Sequence, residues 1–400
     1  MTALLKPQPA AAPVAMPLIG LAPLARMATR GESLLPVAQT LLGRLASNPD
    51  DAAAFLDLST IEQLLGAGDN RIALQNQAFT RSRLFSQPAA RPVAPRLLFF
   101  VAPGDFMANT PVEFLIDGLT AHVDFLYVAP GMDLAHEAPP HDLAFVAVAE
   151  SQANKPILET IARFAPRWPK PLLNAPQNIA RLTRDGAWAL LRDAPGICYP
   201  RNVRVRREYL RDAVTAEDFP IIVRPVDSHA GIALEKLADV IELAAYLRAH
   251  GDAEFFFAPF VDYSSADKLF RKMRIAFVDG APFPVHLAIS SRWMIHYLNA
   301  DMTGSAANRG EEAAFLEFFD DFARRHADAF VALQERLQLD YFLIDCAETR
   351  DGRLLVFEVG AAMIAHDMDC PITFPYKPAP MRRLFAAFQR MILQHVRAPA

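Results

Sequence analysis

The 400-residue chain reads as an α+β protein: a short helical segment, a small α/β unit and a larger mixed domain. Three observations carry this. Strand-like runs at 96–104 (RLLFFVAPG), 123–131 (VDFLYVAPG) and 142–150 (DLAFVAVAE) alternate with helical patterns. That order predicts a small parallel sheet. From 172 onward, helices expected near 176–193, 238–250, 310–337 and 379–395 are separated by short strands that suit neither a sandwich nor a barrel. Finally, YFLIDCAETRDGRLLVFEVGAAM (341–363) has two apolar runs around Asp351-Gly352, a preferred two-residue hairpin turn.

The elements follow in order. Residues 1–32 are read as a flexible leader, because prolines at 7, 9, 13, 17 and 23 interrupt an otherwise apolar run too short to span a bilayer. Residues 33–80 predict two or three helices. DLSTIEQLLGAG offers Ser59 or Thr60 as a start signal and glycine as a stop. The helical segment and its Pro/Ala linker (SQPAARPVAPR, 86–96) fill 33–94, and these helices are a place for a protein partner to bind. The α/β unit spans 95–171. Thr110-Pro111-Val112-Glu113 predicts a capping box opening a helix to about Leu119. Its loops carry Asp105, Asn109, Asp133 and Glu150 at strand carboxyl ends, where ligands usually meet α/β sheets. The last domain spans 172–398.

Composition narrows the function. A net charge of −5 argues against a nucleic-acid binder. Cys198, Cys346 and Cys370 show no paired spacing, which fits a reducing, cytoplasmic setting with no membrane association.

If Asp351-Gly352 closes the hairpin, Arg350 pairs Arg353 and Asp345 falls opposite Glu358. Opposed side chains have β-carbons roughly 4.5–5.5 Å apart, so two carboxylates there should repel. A hard divalent cation between them removes the repulsion, and magnesium with substrate phosphates is the usual user of one or two carboxylates. His286, His296 and His366 are too scattered for a zinc signature.

FPIIVRPVDSHAG (219–231) ends an apolar strand in Arg224. A buried cation needs a partner, and a guanidinium reaches a phosphate with two donors. The small-residue loop after it can lay backbone N–H groups on phosphate oxygens. Neither a Walker motif nor G-x-G-x-x-G is present. Within RKMRIAFVDG (271–280), Lys272 and Arg274 share a strand face and Arg271 takes the other. Two cations on one face point to an anion.

PIIVRPVDSHAG, AEFFFAPFVDY, RKMRIAFVDG and LIDCAETRDGRLLVFEVGAAM, in this order, resemble the ATP-grasp superfamily over about residues 172–395. The unit before them is similar to a pre-ATP-grasp domain. The resemblance is nearest to a bacterial subgroup sometimes attached to tetratricopeptide-like helices. It implies an ATP-dependent ligase that activates a carboxylate of a small metabolite or peptide as an acyl phosphate, which an amine then displaces. ATP and Mg2+ are the implied cofactors, and a homodimer is common among such enzymes. It implies Arg224, Ser228, His229, Gly231 and Lys272 on the phosphates, Phe257, Ala258, Phe260 and Val261 against adenine, and Asp262 on the ribose. It further implies Lys272 and Arg274 near the acyl phosphate, and Asp345 and Glu358 on magnesium. Within PVHLAISSRWMIHYLNADM (284–302), Arg292 is a candidate for a substrate carboxylate and His296 for a proton from the amine; Trp293 and Tyr297 suit either substrate or core.

Two positions depart from the pattern. Gly360 stands where the superfamily usually has Asn, and Gly186 where many members have lysine, with Arg181 or Arg184 as the replacement. The alternatives to a ligase are an ATP-dependent phosphotransferase and a non-catalytic nucleotide-binding scaffold.

Overall fold

The computed structural model describes residues 16–66, 70–87, 94–226, 228 and 231–397. Strands β1 (Met16–Pro17), β2 (Leu84–Gln87), β3 (Arg96–Val101), β4 (His122–Tyr127), β5 (Leu143–Val146) and β6 (Leu172–Leu173) form one sheet in the order β1-β2-β4-β3-β5-β6. The pairs among β4, β3, β5 and β6 are parallel, as the alternation predicts. Leu97 to Val101 are all buried, which is why this strand is apolar throughout rather than alternating. β2 runs antiparallel to β4. Only its last two residues fall in the stretch read as linker, and four residues (LFSQ) carry too little pattern to show a strand.

The expected leader extends into ordered structure. Its residues 1–15 lie outside the described residues, but β1 pairs with β2 and Leu21–Thr29 is a helix with Leu24 fully buried. The physical anchor is Asp57, whose carboxylate accepts the backbone N–H groups of Ile19 (2.9 Å) and Gly20 (3.0 Å). Three further helices follow: Leu35–Ser47, Ala52–Leu64 and Arg71–Arg81. The second starts seven or eight residues before the expected Ser59 or Thr60, because Asp51 caps it by accepting from Ala54.

The capping box at Thr110 does not form. The helix is only Val112–Leu115. Thr110 donates instead to the Ala361 carbonyl (2.8 Å), and Glu113 accepts from the Ala22 N–H (2.9 Å). Both side chains are taken by long-range partners that sequence spacing cannot show.

Beyond β7 (Ile197–Cys198), strands β8 (Val203–Arg206), β9 (Ile221–Pro225), β10 (Glu235–Leu237) and β11 (Glu254–Pro259) make a four-stranded antiparallel sheet ordered β10-β9-β11-β8. Helix Val240–Ala249 covers it and shares its separate core with Leu243 and Tyr246. Strands β12 (Phe270–Val278), β13 (Ala281–Ser290), β14 (Tyr341–Glu348) and β15 (Leu354–Gly360) form the third sheet, ordered β13-β12-β14-β15-β7.

Helices bury both faces of this third sheet. Phe277 and Phe342 stack on each other and pack with Phe330 and Leu333 of helix Ala327–Leu337. Ala276 and Leu343 point the other way, towards Leu384 and Phe388 of helix Pro378–Arg397. Alternation along each strand thus assigns residues to two cores rather than to core and solvent. Asn174 joins the first sheet to the third. Its amide donates to the Tyr341 carbonyl and accepts from the Tyr341 N–H, both at 2.8 Å.

Candidate functional site

A cavity of about 500 Å3 opens between the four-stranded sheet and the third sheet. β9 contributes Ile222 and Arg224, β11 contributes Phe256 to Pro259, β12 contributes Lys272 and Arg274, and the β14–β15 hairpin contributes Asp345 and Glu358. Of the residues the sequence singled out, Gly231, Phe257, Ala258, Phe260, Val261 and His296 also line it.

The hairpin places its two carboxylates opposite each other as expected, by a different route. Asp345 pairs Glu358 in register. The turn is wider than two residues, however: Thr349 N donates to Arg353 O, and Gly352 N to Thr349 O. That shifts pairing at the turn end by one residue. A bulge between Asp345 and Cys346 shifts it back, so Phe357 has no partner in β14. Two displacements cancel at the positions that matter.

The expected repulsion is relieved by protein cations. Arg274 lies opposite Asp345 on the neighbouring strand. Its Nε donates to Oδ1 at 2.8 Å and its Nη2 to Oδ2 at 3.1 Å. Lys272 Nζ sits 2.7 Å from the same Oδ2. Burial alone would raise the Asp345 pKa, but Arg274 and Lys272 outweigh it and hold the carboxyl far below its usual range. Arg274 Nη1 donates to the Ile364 carbonyl at 3.1 Å, so this guanidinium is braced on several sides. Glu358 accepts from Arg184 Nη2 at 3.0 Å. Burial would raise it too, and Arg184 with Arg224 hold it low.

Magnesium fits this donor set poorly. Both Asp345 oxygens are taken by charged donors, and Gly360 supplies no side-chain oxygen. Among the described residues, no group of three or more His, Cys, Asp or Glu side chains is placed to hold a metal ion.

Arg224 is the opposite case. It is only 9% exposed. Its Nε donates to Ser228 Oγ at 2.9 Å, and Ser228 in turn donates to the Pro225 carbonyl. Its Nη2 is buried with no hydrogen-bond partner among the described residues. Desolvation, then the nearby Arg184 charge, push its pKa down to about 10. Burying a guanidinium with an unsatisfied donor is costly.

Arg184, rather than Arg181, supplies the fourth cation. Gly186 cannot carry a lysine: a Cβ there would lie 2.4 Å from the Arg181 carbonyl oxygen and 2.7 Å from Thr183 Oγ1. Thr183 caps the helix Arg184–Leu191 by accepting from Gly186, which sets Arg184 at the cavity wall. Ser228, Arg184, Glu358 and Gly360 share a smaller adjoining cavity of about 100 Å3.

Other candidates fall elsewhere. His229 lies outside the described residues. Asp262 is not at the cavity. It accepts from Ser264 N and pairs with Arg350 at 2.9 Å, between the cavity-lining Val261 and Tyr263. Arg292 is exposed and does not line the cavity, although Trp293 to Tyr297 directly after it do. Phe260 keeps its place, with Lys236 Nζ 3.7 Å from its ring centre and Trp293 edge-on at 5.6 Å. Its N–H is spent on the Pro220 carbonyl. His296 is half-buried, and desolvation followed by the Lys272 charge lowers its pKa, which keeps the ring neutral and able to take a proton. In the α/β unit, Asn109 closes the turn by pairing Ala102 through both amide atoms, Asp105 accepts from Met107 N, and Asp133 caps a short helix.

The sequence did not show the network at the far wall. Glu312 is fully buried in the middle of helix Ala306–Glu317. It accepts from Leu287 N, Tyr297 Oη (2.9 Å) and Tyr376 Oη (2.6 Å). Lys377, also buried, reaches Tyr297 Oη at 2.5 Å and Asp369 at 3.1 Å. Tyr297 is therefore both cavity wall and network member.

No protein-family model matches the chain, and no curated protein does. Among solved structures it is similar to D-alanine--D-alanine ligase from Bacillus anthracis complexed with ATP, with 15% identity, 76% of this chain and 97% of that chain covered, and a TM-score of 0.47. It is also similar to the VanG D-Ala:D-Ser ligase from Enterococcus faecalis, with 14% identity, coverage of 74% and 100%, and a TM-score of 0.46. A RimK domain protein ATP-grasp from Sphaerobacter thermophilus matches at 14% identity, coverage of 74% and 98%, and a TM-score of 0.42. No helix among the described residues is long and apolar enough to cross a membrane.

Proposed function

We propose that the cavity binds ATP and that the chain is a ligase of the ATP-grasp kind, joining a carboxylate to an amine through an acyl phosphate. The observation that carries this is Arg224: a buried guanidinium whose Nη2 has no partner among the described residues, beside Arg184 and Lys272 on one cavity. Five cations (Arg184, Arg224, Lys272, Arg274, Lys377) face three carboxylates (Asp345, Glu358, Asp369) there. The excess suits a polyphosphate. The apolar end, formed by Phe257, Ala258, Phe260 and Val261, suits an adenine ring.

In this reading a substrate carboxylate oxygen attacks the γ-phosphorus, and the bond to the β-phosphate oxygen breaks to release ADP. The amine nitrogen then attacks the acyl carbon, inorganic phosphate leaves, and the amine gives up a proton. His296, neutral and half-buried on the cavity, is placed to take it. The protein's part is positioning and charge neutralisation.

The test is a calorimetric titration of ATP, followed by assay of ADP and phosphate release with a panel of carboxylates and amines. ATP binding with amine-dependent phosphate release is the expected result. Absence of ATP binding would reject the reading. The non-catalytic nucleotide-binding scaffold has one observation in its favour, Gly360 beside an Asp345 whose two oxygens already face Arg274 and Lys272. It predicts ATP binding with no turnover.

A further inference from the structure

The superfamily resemblance gives Asp345 to magnesium, but this chain uses it otherwise. A carboxylate has about four lone-pair sites. Three face charged donors: Arg274 Nε, Arg274 Nη2 and Lys272 Nζ. The Asp345 side chain is 3% exposed. Displacing these donors for a divalent ion would strand two cations in the wall. Arg274 cannot swing away without also losing the Ile364 carbonyl. Lys272 Nζ also donates to the Ile295 carbonyl at 3.2 Å, so Asp345 and the 293–297 loop together fix its direction. A Cβ at Gly360 would meet only the Met363 side chain at 3.3 Å, so no backbone clash dictates the missing oxygen donor there.

We propose that Asp345 is a positioning residue that sets Lys272 and Arg274, not a metal ligand, and that the protein's own cations hold the polyphosphate without a divalent ion on Asp345. This rests on the nucleotide reading above. In this arrangement Arg224 supplies a donor unpartnered among the described residues, Arg184 and Lys272 flank it, and Asp345 holds Lys272 and Arg274 of β12 side by side despite their like charge.

The experiment titrates ATP, and separately inorganic tripolyphosphate, into the full chain in EDTA and in magnesium, with wild type and Asp345→Asn. The expected result is a wild-type Kd for ATP that differs less than fivefold between the two media. Asp345→Asn should weaken it at least tenfold in both, because Lys272 and Arg274 lose their anchor whether or not metal is present. A wild-type Kd more than fivefold weaker in EDTA overturns the proposal, and so does a variant whose loss disappears in EDTA. The wild-type comparison decides the matter even if the variant does not fold. Tripolyphosphate binding without ATP binding would keep this inference and remove the adenine half of the nucleotide reading. Binding of neither would remove both.

Discussion

Replacing Arg224 by methionine should move stability and ligand affinity in opposite directions. The side chain is 9% exposed, and one of its terminal nitrogens is buried without a partner among the described residues. Leaving a buried polar group unpaired costs about 1–3 kcal/mol. Methionine has a similar length, fills the space and carries no donor. Its cost is the bond from Nε to Ser228, worth about 1 kcal/mol. The ligand-free variant should therefore be as stable as wild type or more stable by about 1 kcal/mol. At an unfolding entropy of about 2 cal/mol/K per residue, that is a rise in Tm of about 1 °C. Affinity moves the other way. A hydrogen bond to a charged group contributes about 1.5–3 kcal/mol, so the Kd for ATP should rise about 10- to 150-fold.

Urea unfolding of the ligand-free protein and ATP calorimetry read the two quantities separately. A purely structural arginine gives a destabilised variant with unchanged nucleotide binding, and that result would refute the reasoning. Loss of both together would mean that Arg224 braces the sheet through a contact outside the described residues.

Further predictions concern the supports around the site. Asp57 is buried, and desolvation raises its pKa from 3.8 to about 6 despite the N–H groups of Ile19 and Gly20. A raised carboxyl pKa stabilises the folded state at low pH and loses that contribution as pH rises through about 6. Wild type should therefore gain about 1 kcal/mol relative to Asp57→Asn between pH 7 and pH 5, read by urea unfolding at each pH. Asn174→Ala leaves the N–H and carbonyl of buried Tyr341 unpaired and should cost about 2–4 kcal/mol in the same assay; a loss under 1 kcal/mol would mean that the two sheets hold together without it. Gly231 has a φ of 74°, and a Cβ there would lie 2.6 Å from His296 Nε2. Gly231→Ala should cost about 1–2 kcal/mol in the loop conformation and raise the Kd for ATP about tenfold, with β9 intact by circular dichroism. Unchanged affinity would take the loop away from the phosphates.

What the sequence carried depended on the range of the interaction. The parallel core of the first sheet was readable because Leu97–Val101 and Leu143–Val146 are continuous apolar runs separated by helical spacing. Lys272 and Arg274 were readable as neighbours because a strand repeats every two residues. Interactions between distant segments were invisible. Thr110 and Glu113 have the spacing of a capping box, yet Ala361 and Ala22 claim them. Glu312 sits beside Glu311 in a helix, and nothing in that pair says that one reaches Arg271 at the surface while the other is sealed beneath Tyr297 and Tyr376. The hairpin was a partial success of a particular kind. Asp351-Gly352 located the turn, its assumed width was wrong, and a bulge the sequence does not announce restored the Asp345–Glu358 register.

The electrostatics of the cavity follow from which sheet contributes each charge. The third sheet is nearly self-sufficient: Asp345 has Arg274 and Lys272, and Glu358 has Arg184. The four-stranded sheet brings Arg224, whose pKa is raised somewhat by Glu358 but which makes no ion pair with it among the described residues. Were Arg224 to reach Glu358, it would share that carboxylate with Arg184, as Lys272 and Arg274 share Asp345. The five Lys and Arg side chains lining the cavity still outnumber its three carboxylates, so two positive charges remain in excess however the pairs are arranged. In the nucleotide reading a bound polyphosphate supplies the missing negative charge. The cost of burying Arg224 with Nη2 unpartnered among the described residues is borne in the ligand-free protein, and in the nucleotide reading an anion with several oxygens spanning both sheets recovers it. Small monovalent anions, which reach only one wall, should recover little of it.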